Sequence, residues 1–124
     1  MAYEAPGHKK TGVEASGDLS AAQFHCVKMS ATGVLLAGAG HAISGILQNK
    51  PTAIGIAATV TADGESKAVA GDVVARGVDL EVDASGRLIP AVNSGSYIVA
   101  ESNEAAAAAG DIMGVSLLDK GRVA

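Results

Sequence analysis

Apolar and polar positions alternate in short bursts along this chain, and glycine- or aspartate-centred turns separate the bursts about every ten residues. The rhythm is clearest from Gly55 to Ala91. Such spacing predicts a small all-β domain, a barrel or a sandwich. Gln23 to Met29 reads as a strand with Phe24 and Cys26 on one face and His25, Val27 and Met29 on the other. Val34 to Ala37 and Ala42 to Gln48 follow as strands. Pro51 marks a loop or an edge, since it has no N–H to give a ladder. Ala57 to Thr61 is a β-branched run. Asp63-Gly64 then predicts a hairpin, with Ser66 to Ala70 returning. Leu80 and Val82 alternate with Glu81 and Asp83, which predicts one inward and one solvated face. Ala84-Ser85-Gly86 turns the chain into Arg87-Leu88-Ile89. Tyr97 to Ala100 and Ile112 to Leu118 are the late strands. Ser102 to Ala109 is the one helical candidate, capped by Ser102, propagated by five alanines and closed by Gly110. Residues 1–17 break every periodicity at Pro6, Gly7, Gly12 and Gly17. They predict a flexible N-terminal arm ahead of a single domain over 18–124.

Composition narrows the kind of core. The chain has 124 residues, 2% aromatic residues and no Trp, so Ala, Val, Ile and Leu must fill the interior. Rings supply much of the buried area in ordinary domains, and oligomerisation is one remedy for a core that lacks them. The net charge is −4 and no basic block stands out. That excludes a basic nucleic-acid stripe. Cys26 is the single cysteine, so an intrachain disulfide is impossible. The N-terminus lacks the apolar core of a signal peptide. The run from Val34 to Gly40 is too short to span a bilayer. A soluble protein made in the cytoplasm is expected.

The candidate chemistry falls away residue by residue. Gly38-Ala39-Gly40-His41-Ala42-Ile43 opens like a dinucleotide fingerprint, but Ile43 stands at the third glycine position. Gly40 to Gly45 has phosphate-loop spacing, yet Ile46 and Leu47 replace the required Lys and hydroxyl. Asp79, Glu81 and Asp83 hint at a calcium loop, but Ala84 and Pro90 occupy its sixth and twelfth positions. His8, His25 and His41 have no metal-ligand spacing. His25 and Cys26 are neighbours that a strand would point to opposite faces, which argues against a catalytic dyad. No Gly-x-Ser-x-Gly elbow occurs. The expectation is no enzyme, no cofactor and no metal.

One ordered series of motifs carries a resemblance. It runs from Asp18-Leu19-Ser20-Ala21 through Val27-Lys28 to Gly45-Ile46-Leu47-Gln48-Asn49-Lys50-Pro51. It continues with Ala57-Ala58-Thr59-Val60, Ala70-Gly71 and Asp83-Ala84-Ser85-Gly86-Arg87-Leu88. Tyr97-Ile98-Val99 and Ala108-Ala109-Gly110-Asp111 complete it. The series resembles the capsid cement, or head decoration, proteins of tailed bacteriophages over about residues 18 to 118. Two turns depart from the pattern, at Ile54-Gly55 and at Gly77-Val78-Asp79. The resemblance implies a β-tulip-like barrel or sandwich that is a structural virion protein rather than an enzyme. It implies synthesis in the bacterial host cytoplasm and a final place on the outer capsid surface. The partners implied are the major capsid protein and further copies of the chain, as a homotrimer or else a dimer, with no nucleic acid and no membrane. The arm residues Tyr3, Glu4, His8, Lys9 and Lys10 are the candidate contacts with the shell or a neighbour. The competing expectation is a small β-barrel module, of non-viral origin, that binds a sugar or metabolite.

Overall fold

A computed structural model describes residues 9–10, 13–92 and 95–123. Among the described residues ten strands form, in the order β1 (Lys9–Lys10), β2 (Cys26–Ser30), β3 (Gly33–Leu36), β4 (Gly45–Leu47), β5 (Val60–Thr61), β6 (Gly64–Val69), β7 (Asp79–Val82), β8 (Leu88–Pro90), β9 (Tyr97–Ser102) and β10 (Ile112–Val123). They make two five-stranded antiparallel sheets. The first has the order β1-β5-β4-β2-β3 and the second β6-β10-β9-β7-β8. The mainly β expectation holds. The sheets do not close into a barrel: each keeps two edge strands.

Alternation along β2 and β4 divides the interior in two. Cys26 and Ile46 join Leu80, Val82, Leu88, Met113 and Val115 of the second sheet in one buried cluster. Their neighbours Val27 and Leu47 point the other way, to a second cluster with Val34 and Val60. The first sheet is therefore buried on both faces, as the period of two requires when both faces are covered. The lid over the second cluster comes from the N-terminal side, through Val13, Leu19 and Ala22. Ala15 is fully buried. Its N–H donates to the Ile56 carbonyl at 2.9 Å, while Val34 N–H donates to Glu14 O at 2.7 Å and Ser16 N–H to Val34 O at 2.9 Å. Residues 14–16 of the expected arm are thus laced along the β3 edge. Further on, the Asp18 carboxylate accepts the Ser20 N–H at 2.9 Å, which holds its carboxyl below the ordinary value.

Four expectations need correction. Asp63-Gly64 does not turn a hairpin: β5 lies between β1 and β4 in the first sheet, and β6 pairs with β10 in the second. Both sides of β5 are already occupied, so the chain uses Gly64, at φ 79°, to cross between sheets. The strand expected from Gln23 starts only at Cys26. Phe24 takes a left-handed conformation at φ 64°. It links the sheets there, since its N–H donates to Leu47 O at 2.7 Å and its carbonyl accepts Val69 N–H at 3.0 Å. Glu81 is not on a solvated face. It is 1% exposed, and β7 is an interior strand of its sheet.

The alanine-rich helix is the fourth. Among the described residues no helix forms, and Ser102 instead ends β9. Its hydroxyl donates to Ala75 O at 2.6 Å and accepts Val78 N–H at 3.0 Å, so it is not free to cap a helix. Ala106 exchanges backbone bonds with Val74 at 2.8 and 2.9 Å. The Asp111 carboxylate takes the N–H groups of Ala107 and Ala108 at 3.1 and 3.2 Å. A helix of eight residues is marginal in water, and these tertiary bonds outcompete it.

Candidate functional site

The sequence placed its candidate contacts in the arm. Tyr3, Glu4 and His8 lie outside the described residues. Lys9 and Lys10 form β1, whose backbone pairs with Thr61 and Val60 at the edge of the first sheet. The structure therefore gives these two a place in the sheet ladder, beside the lid over the second core.

A concavity lies elsewhere, a groove of about 880 Å³ against β6, β9 and β10. Register builds it. Ser116 pairs with Glu65 on one side and Glu101 on the other, and Glu101 pairs with Asp79. Directly paired residues share a face, so three carboxylates stand in one cross-sheet row with Ser116 between two of them. Lys67 and Arg76 line the same groove, and Lys67 Nζ also lies 5.9 Å from the centre of the Phe24 ring.

The polar groups of this groove hold one another. Ser116 Oγ donates to Asn103 Oδ1 at 3.1 Å and accepts from Asn103 Nδ2 at 3.0 Å. Glu104 Oε1 accepts the Gly114 N–H at 2.8 Å. Ser66 Oγ donates to Lys67 O at 2.9 Å and accepts from Gln48 at 3.0 Å. A nucleophilic serine needs a base within hydrogen-bond reach, and Ser116 has an amide there. Such a groove offers surface charge and hydrogen bonds.

The remaining reactive types are scattered. His25 Nδ1 lies 3.0 Å from Gln23 O. His41 Nδ1 accepts the Gly38 N–H at 3.1 Å, with Lys28 Nζ 3.2 Å away. Cys26 is fully buried, and burial, reinforced by the charge of Asp83, pushes its thiol pKa far up. That makes the thiol inert, in agreement with its reading as a small core residue. Among the described residues no group of three or more His, Cys, Asp or Glu side chains could hold a metal ion, and no helix is long and apolar enough to cross a membrane.

The other surface feature is apolar, and the sequence reasoning missed it by assigning Ala105–Ala109 to a helix. Segments 70–74 and 106–112 run antiparallel. Ala70 N–H donates to Asp111 O at 2.8 Å, Gly110 N–H to Ala70 O at 2.7 Å, and Val74 pairs with Ala106. Val73 is 60% exposed and Ile112 56% exposed, with Ala105 and Ala107–Ala109 exposed beside them. A signal was present in the sequence: five successive alanines with no lysine or arginine in 102–119.

No protein-family model matches the chain, and no curated protein matches it either.

Proposed function

We propose that this chain is a capsid decoration protein, a structural component that binds the outer surface of an assembled phage shell and braces it against the pressure of packaged DNA. The observation that carries the reading is the ordered motif series over residues 18 to 118, set on a mainly β framework of two sheets. The physics suits a small, ring-poor domain. A symmetric oligomer presents several copies of one modest contact to a symmetric lattice, so binding strengthens through effective concentration without any single large interface. A homotrimer is the proposed form, with a dimer as the alternative. The groove suits the reading, because its polar groups are bonded to one another, Ser116 to Asn103 among them.

Co-sedimentation with purified shells that lack the protein tests the proposal. The expected result is saturable binding to mature shells, none to free capsid subunits, and shells that survive more heat or chelator. Absence of both binding and protection would sink the reading. The groove also favours a second reading, a small β module that binds a ligand. A thermal-shift screen that finds one clear small-molecule ligand, with no shell binding, would put that reading first.

A further inference from the structure

The stretch Gly38-Ala39-Gly40-His41 fits no nucleotide loop, and the fold uses it otherwise. It follows β3 and carries the chain to the second sheet. There Gly40 N–H donates to Val82 O at 2.9 Å, and Gly40 O accepts Tyr97 N–H at 3.2 Å. Val82 is the last residue of β7 and Tyr97 the first of β9, so one residue ties both strand ends to the loop. The turn around Gly40 is closed twice. His41 N–H donates to Gly38 O at 3.2 Å, and Gly38 N–H donates back to His41 Nδ1 at 3.1 Å. The ring lies directly against Gly38, where a Cβ would come within 2.9 Å of His41 Cε1. Lys28, on β2, brings its Nζ to 3.2 Å from the same Nδ1.

Both groups that meet Nδ1 are donors: a backbone amide and an ammonium have no lone pair to offer. Nδ1 is therefore the unprotonated nitrogen, and the ring is neutral with its hydrogen on Nε2. We propose that His41 is a pH-sensitive latch: neutral, it closes the 38–41 turn and keeps Gly40 bonded to β7 and β9; protonated, it lets that turn open. A protonated Nδ1 cannot accept from Gly38 and sets a second positive charge beside Lys28. The surrounding charges do not offset this. Strands β3 and β4, on either side of the turn, carry no charged residue. From β7, Val82 is flanked by Glu81 and Asp83. Glu81 points to the opposite face of the strand from Val82. The Asp83 carboxylate accepts the N–H groups of Ser85 and Arg87 and lies 3.4 Å from Arg87 Nε. From β9, Tyr97 brings a phenol. His41 bonds to Gly38 and Lys28, and to no carboxylate among the described residues. The fold bonds the neutral ring and leaves its cation unbonded, so acid loosens the latch. The device does not depend on what the chain binds.

The test is NMR on the full chain, labelled with ¹⁵N, at about pH 8 and about pH 5, which spans the ordinary range of imidazole. In the alkaline sample the ring-nitrogen shifts of His41 are expected to show Nδ1 bare and Nε2 protonated. Between the two samples the exchange protection of the Gly38, Gly40 and Tyr97 amides is expected to fall about tenfold, as a local opening. His41→Asn places an amide oxygen near the Nδ1 position, an acceptor that takes up no proton in this range. Its three amides should keep their protection in acid. A proton on Nδ1 in the alkaline sample would overturn the proposal. So would wild-type amides equally protected in both samples, or a His41→Asn chain that loses protection in acid as the wild type does. If the variant fails to fold, the wild-type ring shifts and protection decide the question alone.

Discussion

Gly33 shows how one residue can fasten two segments. It lies at φ 130° after the β2–β3 turn, where a Cβ would run into the Glu14 carbonyl and approach Ala15 and Ser16 at 3.2 Å. That carbonyl accepts the Val34 N–H, so the N-terminal segment can lie against β3 only while residue 33 has no side chain. Gly33→Ala should cost about 3 kcal/mol, from a strained φ and a displaced backbone. Gly17→Ala, with nothing within 4 Å of the added Cβ, should be nearly neutral. Chemical denaturation of the two variants checks the contrast. Cys26 makes a separate prediction about pH. Its folded thiol pKa is raised above the ordinary value of 9.0, so its contribution is fully present below that pH. Above it the unfolded chain ionises first, and stability falls by about 1.4 kcal/mol per pH unit. Cys26→Ala should remove this alkaline slope, measured as unfolding free energy between pH 8 and pH 10, roughly the window set by the ordinary thiol value.

At the scale of elements, the stretch after β9 is where local preference and final structure part. Ser102 is 1% exposed, and its hydroxyl serves both Ala75 O and Val78 N–H. Ser102→Ala leaves the Ala75 carbonyl and the Val78 N–H without that partner and should lower stability by about 1 kcal/mol, read as a shift in melting temperature. Ser102→Thr, which keeps the hydroxyl, should recover part of it. The β7–β8 hairpin went the other way, because its turn chemistry is local. Asp83 Oδ1 accepts the N–H groups of Ser85 and Arg87 at 2.8 and 2.9 Å, and Asp83 N–H donates to Arg87 O at 2.8 Å. Asp-Ala-Ser-Gly-Arg specifies this turn within five residues. The Asp63-Gly64 pair carried an equally strong local signal and failed, because sheet membership depends on which edges are free.

For the whole molecule, the N-terminal segment matters most. As an arm over 1–17 it would be removable without harm to the fold. Residues 13–16 instead cover the second cluster and bond to β3 and to the 53–57 loop. Removing residues 1–8 should leave the melting temperature within a few degrees of wild type. Removing 1–17 should lower it substantially, since the second cluster would lose Val13 and the Val34 backbone its partners Glu14 and Ser16. Scanning calorimetry of the two truncations separates the cases; equal melting temperatures would show that the segment contributes nothing to the domain.

The sequence by itself determined the β class, most strand positions and the inert state of Cys26. These follow from period-two alternation, turn chemistry and a burial preference, all of which act within a few residues. Tertiary structure alone decided the rest. It put β5 and β6 in different sheets, buried Glu81 on an interior strand and drew 14–16 onto β3. It also opened Ala105–Ala109 into a loop, leaving Val73 and Ile112 at the surface. Each of these depends on partners far off in the chain, such as Val34 for Ala15, Ala106 for Val74 and Leu117 for Gly64, and alternation carries no information about which distant edge a strand will find.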